Sequence, residues 1–93
     1  MADEDDSKIY IGRKKPMNYV LASMVVLNEG GPVRLLARGR SISRAVDVGE
    51  IIRNKFAKGA TYGEILIETE ELENKDGTKS NVSSMEIEIL PPK

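Results

Sequence analysis

Cysteine and histidine are both absent from this chain of 93 residues. Their absence excludes disulfides, thiol nucleophiles, imidazole bases and the usual nitrogen and sulfur ligands of zinc. The carboxylates that remain alternate along candidate strands, as solvated side chains do, and no spacing pairs a nucleophile with a base. We therefore expect a protein that is not an enzyme and that holds no metal and no cofactor.

Long apolar runs are missing as well. No stretch approaches the roughly 20 apolar residues that a membrane-spanning helix needs. The first six residues include four acids, whereas a secretory signal begins with basic residues. We expect a soluble cytoplasmic protein with no membrane partner.

Charge is segregated along the chain, although the formal net charge is only −1. Residues 7–58 carry eleven cationic side chains against three acids, a net charge of +8. Residues 1–6 contribute −4, and residues 59–93, with eight acids against three lysines, contribute −5. A polyanion responds to the local potential, which salt screens over about 8 to 10 Å, so the central region is suited to nucleic acid.

The apolar pattern predicts one domain at residues 8–93 after a disordered acidic tail at residues 1–7. The predicted strands are 9–11, 32–37, 62–72 and 84–90, and the predicted helices run from 17 to 28, with Pro16 in the first turn, and from about 41 to 57. A polar hairpin tip is expected at 74–81. The order β-α-β-α-β-β predicts an α+β fold, a two-layer sandwich with two helices on one face of a four-stranded sheet.

Helical spacing predicts which side chains are buried. The sheet face opposite the helices is expected to be acidic. A chain this short buries only a little over 60% of its unfolded surface, so we expect a small core or a dimer interface to supply its stability. The expected stripes are Met17, Val20, Leu21, Met24 and Leu27 in the first helix, and Ile42, Ala45, Val46, Gly49, Ile52 and Phe56 in the second.

Three arginines lie where the second strand gives way to the second helix: Arg38, Arg40 and Arg44. The guanidinium fork matches phosphate oxygens, and a helix N-terminus adds unpaired amides and a favourable dipole end. Ser41 or Ser43 is expected to cap that helix. The alternative interpretation is an ordinary solvated surface.

Two further groups of cations lie in predicted turns. Arg13, Lys14 and Lys15 precede the first helix, and Lys75 and Lys79 lie in the hairpin tip. The tip lysines would either contact a nucleic-acid backbone or only keep the loop soluble. Both interpretations fit the pattern.

The single phenylalanine, Phe56, is predicted at the end of the second helix. An exposed aromatic side chain there would suit a subunit contact. Filling the edge of the core is an equally good interpretation.

The loop GRKKPMNYV, the stretch ARGRSISRAVDV, the helix end IIRNKF and the polar hairpin together resemble the Alba family of archaeal nucleic-acid-binding proteins. The resemblance covers nearly the whole chain after residue 7. It implies a fold similar to the C-terminal domain of translation initiation factor three. It also implies a homodimer that binds double-stranded DNA and RNA without strong sequence preference and compacts the chromosome.

The resemblance also implies roles for particular residues. Hairpin arms would reach along the minor groove, with Lys75 and Lys79, and Phe56 would join dimers along DNA. Pairing with a paralogue and modification by a lysine acetylase and deacetylase are further implied, with Lys14 the first choice and Lys15 the next. The implied backbone contacts are Arg13, Lys14, Lys15, Arg38 and Arg40, together with Arg44.

The sequence departs from the family pattern at two places. Thr78 and Asn81 stand where relatives often carry arginine, which predicts a weaker grip by the arm. Pro16 is displaced by one position from the family pattern, so the resemblance does not decide whether Lys14 or Lys15 is the acetylated lysine.

Two alternatives have other partners. An RNA chaperone or a subunit of an RNA-processing particle would act mainly on structured RNA. A protein-interaction scaffold would use the acidic sheet face and the acidic tail.

Overall fold

The structure is a computed structural model, and it describes residues 7–93. Residues 1–6 of the predicted acidic tail lie outside the described residues. No helix within the described range has both the length and the apolar character needed to cross a membrane. The elements are β1 (Lys8–Tyr10), α1 (Pro16–Asn28), β2 (Val33–Arg38), α2 (Ser41–Ile51), a π-helical turn (Ile52–Phe56), β3 (Thr61–Glu73) and β4 (Lys79–Leu90).

The strands form one mixed sheet in the order β1-β2-β4-β3. β1 is parallel to β2, while β4 is antiparallel to both β2 and β3. α1 packs on β1 and β2, and α2 packs on β2 and β4. The element order confirms the predicted α+β sandwich.

Alternation along β2 decides which sheet face the helices cover. Val33, Leu35 and Ala37 are buried on the helix side, whereas Arg34 and Arg38 point to the other side, which we call the outer face. The register continues this division across the sheet, because directly opposed residues share a face. The fully buried large side chains, which mark the centre of the core, are Leu35, Ile52, Ile89, Val20, Val33 and Val48.

The predicted buried stripe of α1 was partly wrong. Met17 and Leu21 are exposed, whereas Tyr19 and Ser23 are buried. The helix is apolar on nearly every side, so spacing alone could not decide which side meets the sheet. Of the other predicted positions, Val20 and Leu27 are buried and Met24 is half-buried.

The second helix also differs from its prediction. Val46 is exposed and Val48 is buried in its place. The helix ends in a π-helical turn, closed by the Ala57 N–H donating to the carbonyl oxygen of Ile52 at 2.7 Å. This wider turn leaves the Phe56 ring 46% exposed, so the phenylalanine is not part of the buried core.

The hairpin tip is shorter than predicted. β4 begins at Lys79, so residues 79–81 belong to the strand and only 74–78 form the connection. Gly77 has a φ of +88°, and its N–H donates to the carbonyl oxygen of Asn74 at 3.0 Å. The turn at Asp76 and Gly77 therefore lies within the hairpin tip predicted at 74–81.

Candidate nucleic-acid interface

The loops that follow β1 and β2 leave the sheet at the same edge, because the two strands are parallel. Just beyond β1, the Ile11 N–H donates to the carbonyl oxygen of Leu36 at 2.8 Å. This bond brings loop 12–15 beside loop 39–40. Together the two loops carry four of the predicted site residues, which we call the basic edge: Arg13, Lys14, Lys15 and Arg40.

The side chains of the basic edge are all exposed. None of the four forms an ion pair with another residue of the described range 7–93. Gly39, with a φ of +53°, makes the sharp turn that separates Arg40 from the end of β2. The edge thus presents four uncompensated cations to solvent.

A buried tyrosine hydroxyl holds the first loop. The Tyr19 oxygen accepts the N–H of Gly12 at 2.9 Å and that of Lys14 at 3.0 Å. Tyr19 lies in the first turns of α1, so the loop is tied to the helix that follows it. The backbone carrying the cations is therefore fixed in shape.

Arg44 contacts the same loop from the other side. Its guanidinium donates to the carbonyl oxygen of Gly12, and its side chain is half-buried. Arg44 therefore links α2 to the β1–α1 loop, whereas the basic edge points to solvent.

The expected serine cap of α2 is absent. Arg40 occupies the N-cap position, and no side chain makes a capping hydrogen bond there. Ser43 instead donates to the carbonyl oxygen of Arg40 at 3.3 Å. Because Arg40 is the N-cap residue, neither Ser41 nor Ser43 stands at the position from which a hydroxyl would cap the helix.

Arg38 lies at the end of β2 on the outer face, next to the basic edge but engaged differently. Its Nη2 donates to Oε1 of Glu70 at 2.8 Å, and its Nε donates to Oε2 at 3.2 Å. The pKa of the Glu70 carboxyl is lowered mainly by this arginine. Arg38 is the predicted site residue whose charge is already neutralised by a bidentate partner.

The rest of the outer face is acidic. Arg34 is surrounded by three carboxylates, with contacts of 3.0 Å to Glu64 and 3.5 Å to Glu88 and a close one to Glu86. The hydrogen bonds that Arg34 donates to Glu64 and Glu86 raise the pKa of its guanidinium. With three acids around one cation, this face repels phosphate.

A groove of about 460 Å³ crosses the outer face from Tyr10 of β1 to Leu66 and Glu70 of β3. Its apolar lining includes Tyr10, Leu36 and Leu66, and Arg38 and Glu70 stand beside them. The ion pair between the last two therefore lies where the acidic face meets the basic edge.

The β3–β4 hairpin extends past this edge. β2 pairs with β4 only as far as Arg38 and Ser84, whereas β3 and β4 remain paired to Glu73 and Lys79. We call residues 69–83 the hairpin arm; it is mostly exposed and stands out from the sheet on the side of the basic edge.

The arm is acidic overall, with four acids against two lysines, a net charge of −2. Lys79 lies 3.4 Å from a Glu71 carboxylate oxygen, whereas Lys75 in the turn forms no ion pair within residues 7–93. Lys75 is therefore the arm cation most available to an anion.

The end of α2 is tied to β3 by a cluster of three side chains. Glu50 accepts hydrogen bonds from the Tyr62 hydroxyl and, at 2.8 Å, from Arg53, whose guanidinium lies 4.6 Å from the centre of the tyrosine ring. The hydrogen bond from Tyr62, followed by that from Arg53, lowers the pKa of Glu50. The cluster fixes the helix end that carries Phe56.

Exposed apolar side chains concentrate on the helix-side face of β3. Ile65 and Ile67 lie opposite Ile87 and Met85 of β4, on the side that the helices cover elsewhere. β3 is an edge strand that α2 contacts near its start, at Tyr62, and further along the strand Ile67 is 70% exposed. A patch of this kind is typical of a protein interface.

Two contributors to the site were not predicted from the sequence. Tyr19 gave no signal, because a tyrosine in an apolar helix looks like a core residue. Glu70 is one of the carboxylates that alternate along a predicted strand, as solvated side chains do. Its pairing with Arg38 required the register of three strands.

Comparison with known proteins gives consistent matches. A family model described as Alba matches residues 7–69. The DNA/RNA-binding protein Alba of Methanocella arvoryzae is 47% identical over 90 residues, which cover 96% of this chain and 94% of that protein. The DNA/RNA-binding protein Alba of Picrophilus torridus is 46% identical over 85 residues, which cover 89% and 93%.

Solved structures show the same fold. Alba from Thermoplasma volcanium superposes with a TM-score of 0.83 at 46% identity, covering 89% of this chain and 98% of that one. ALBA1 from Trypanosoma brucei has a TM-score of 0.76 at 20% identity, covering 98% and 74%, and supports the fold alone.

Proposed function

The chain belongs to the Alba family, and on that premise we propose that it binds double-stranded DNA and RNA as a homodimer, through contacts to the phosphate backbone. Its relatives carry the name DNA/RNA-binding protein. The observation that carries the proposal for this chain is the basic edge, where two adjacent loops present exposed cations without ion pairs among residues 7–93.

The proposed contacts fall into three groups. Arg13, Lys14, Lys15 and Arg40 would bind phosphates directly, and Arg38 would join them after leaving Glu70. Arg44 would act mainly by holding the loop. Lys75 and Lys79 would add arm contacts, which the acidic residues of the arm weaken.

The same proposal covers assembly and location. The protein would compact the chromosome in the cytoplasm, and Phe56 would join dimers along DNA, because its ring is exposed at the helix end. A heterodimer with a paralogue would use the same surfaces. Acetylation of Lys14 or Lys15 would weaken binding by removing one exposed charge from the basic edge.

Sequence preference should be weak. Backbone contacts carry no direct base information, and neither helix presents a cluster of Asn or Gln side chains for the major groove. If a dimer neutralises about six phosphates, log affinity should fall against log salt with a slope of roughly −5 on duplex DNA.

The double variant Arg38→Ala, Arg40→Ala tests the proposal by salt titration. It should weaken binding to unrelated duplexes equally and flatten the slope by about 0.9 for each lost contact. The matched control is Lys55→Ala, Lys58→Ala, which removes two exposed cations in and just after the π-helical turn. An unaltered slope in the first variant would remove Arg38 and Arg40 from the interface.

Parallel titrations on duplex DNA and duplex RNA at fixed salt distinguish the two ligands. A large preference for structured RNA would favour the RNA chaperone or processing role over a chromosomal one. If the protein binds neither duplex DNA nor RNA, the result would favour the protein-interaction scaffold.

A further inference from the structure

Glu70 accepts hydrogen bonds from the same guanidinium donors of Arg38 that would bind phosphate. Nε and Nη2 of the guanidinium each donate to a different oxygen of the one carboxylate. Arginine binds phosphate in this bidentate manner too, with two parallel N–H···O bonds to two oxygens. While the pair is closed, this edge of the guanidinium is not open to a phosphate.

The position of the pair follows from the sheet register. Arg38 lies opposite Ser84 on β4, and Ser84 lies opposite Glu68 on β3. Glu70 is the next outer-face residue along β3, one step into the hairpin arm. The small serine between the two strands leaves room for the long side chains to meet above it.

Arg38 differs from the four residues of the basic edge because it forms an ion pair. Its side chain is 59% exposed and that of Glu70 is 32% exposed, so solvent and ligands reach the pair. Exposed ion pairs shift an equilibrium by only about 1.4- to 5-fold, so a phosphate can displace this one. A phosphate can therefore break this ion pair, but it must compete with the Glu70 carboxylate for Arg38.

We propose that Glu70 is an intramolecular phosphate substitute that competes with the nucleic-acid backbone for Arg38 and thereby sets the affinity of the basic edge. The inference rests on the proposed function, since it concerns the same site. Binding requires Arg38 to exchange one carboxylate for one phosphate. The Glu70 charge is then left close to the nucleic acid and opposes the complex.

The test is a salt titration of duplex DNA binding for the whole chain and Glu70→Gln, with Glu68→Gln as the matched control. Both substitutions remove one acid from the outer face of β3, but Glu68 forms no ion pair within residues 7–93. Glu70→Gln should tighten binding about 2- to 5-fold more than Glu68→Gln does. When Arg38→Ala is added to both variants, Glu70→Gln should no longer bind DNA more tightly than Glu68→Gln.

The outcomes separate the two proposals. Wild-type binding with the expected salt slope, together with equal effects of Glu70→Gln and Glu68→Gln, would overturn only the role of Glu70. Weaker binding by Glu70→Gln would also overturn it, because the carboxylate would then be positioning Arg38 instead of competing for it. A wild-type chain that binds no DNA or RNA would overturn the proposed function and this inference together.

Discussion

At the scale of single residues, the hydroxyl group of Tyr19 determines the shape of the loop that carries most of the basic edge. It accepts two backbone N–H groups, those of Gly12 and Lys14. Tyr19 is itself buried. Partly buried amides left without a partner cost about 1–3 kcal/mol, so this oxygen matters to stability as well as to loop geometry.

Tyr19→Phe should therefore lower the free energy of unfolding by about 1–3 kcal/mol and weaken DNA binding several-fold. The first effect follows from the orphaned amides and the second from a loop that no longer holds Lys14 in place. Urea denaturation and fluorescence anisotropy would measure the two. Tyr10→Phe is the matched control, because that side chain is 69% exposed; equal behaviour of the two variants would contradict the prediction.

At the scale of secondary-structure elements, the junction between α2 and β3 is closed by Glu50, Arg53 and Tyr62. Gly49 lies beneath the tyrosine, and a Cβ there would come within 2.9 Å of the hydroxyl oxygen. Burial, followed by the hydrogen bond to Glu50, raises the pKa of Tyr62 to about 12. The Tyr62 hydroxyl can donate its hydrogen bond to Glu50 only while it is protonated.

This raised pKa predicts a pH dependence of stability. An unfolded tyrosine ionises near pH 10. Because the folded pKa is higher, the stabilisation is complete below about pH 10 and is lost as the pH rises towards 12. Chemical denaturation between pH 9 and 12 should show a steeper loss of stability for the wild type than for Tyr62→Phe.

Tyr10→Phe again provides the control for the loss of one tyrosine. It should retain the part of the pH dependence that belongs to Tyr62. Parallel curves for the wild type and Tyr62→Phe would show that the phenol titrates alike in the folded and unfolded states.

At the scale of the whole molecule, the helices do not cover the entire sheet. α1 and α2 lie over β1, β2 and β4, while the helix-side face of the edge strand β3 exposes Ile65 and Ile67. Apolar side chains left uncovered on an edge strand favour association. A second copy covering this face would supply the apolar burial that a chain of this length lacks.

If the proposed homodimer forms through this face, Ile67→Glu should shift it towards a monomer of 10.3 kDa in sedimentation equilibrium, because a charge would be buried in the subunit contact. The folded monomer should tolerate the change, since Ile67 is 70% exposed. Leu66→Glu is the matched control on the opposite face of the same strand. A variant at position 67 that remains as dimeric as this control would place the interface elsewhere.

Local features of the chain were readable from the sequence alone. Alternation in β2 and β3, the glycine-bounded helices, the Asp76–Gly77 turn and the segregation of charge all depend on neighbours a few residues apart. The basic residues of loops 12–15 and 39–40 could be recognised for the same reason. The two loops lie side by side because β1 and β2 are adjacent parallel strands joined by α1.

The tertiary structure decided what depends on distant partners. Arg38 and Glu70 are 32 residues apart, as are Arg44 and Gly12, so no local pattern could report that one arginine is held by a carboxylate and the other by a backbone oxygen. The same holds for Met17 and Leu21, which a nearly all-apolar helix could have buried on either side. Only the tertiary structure determined which cations are held by a partner and which are left without one.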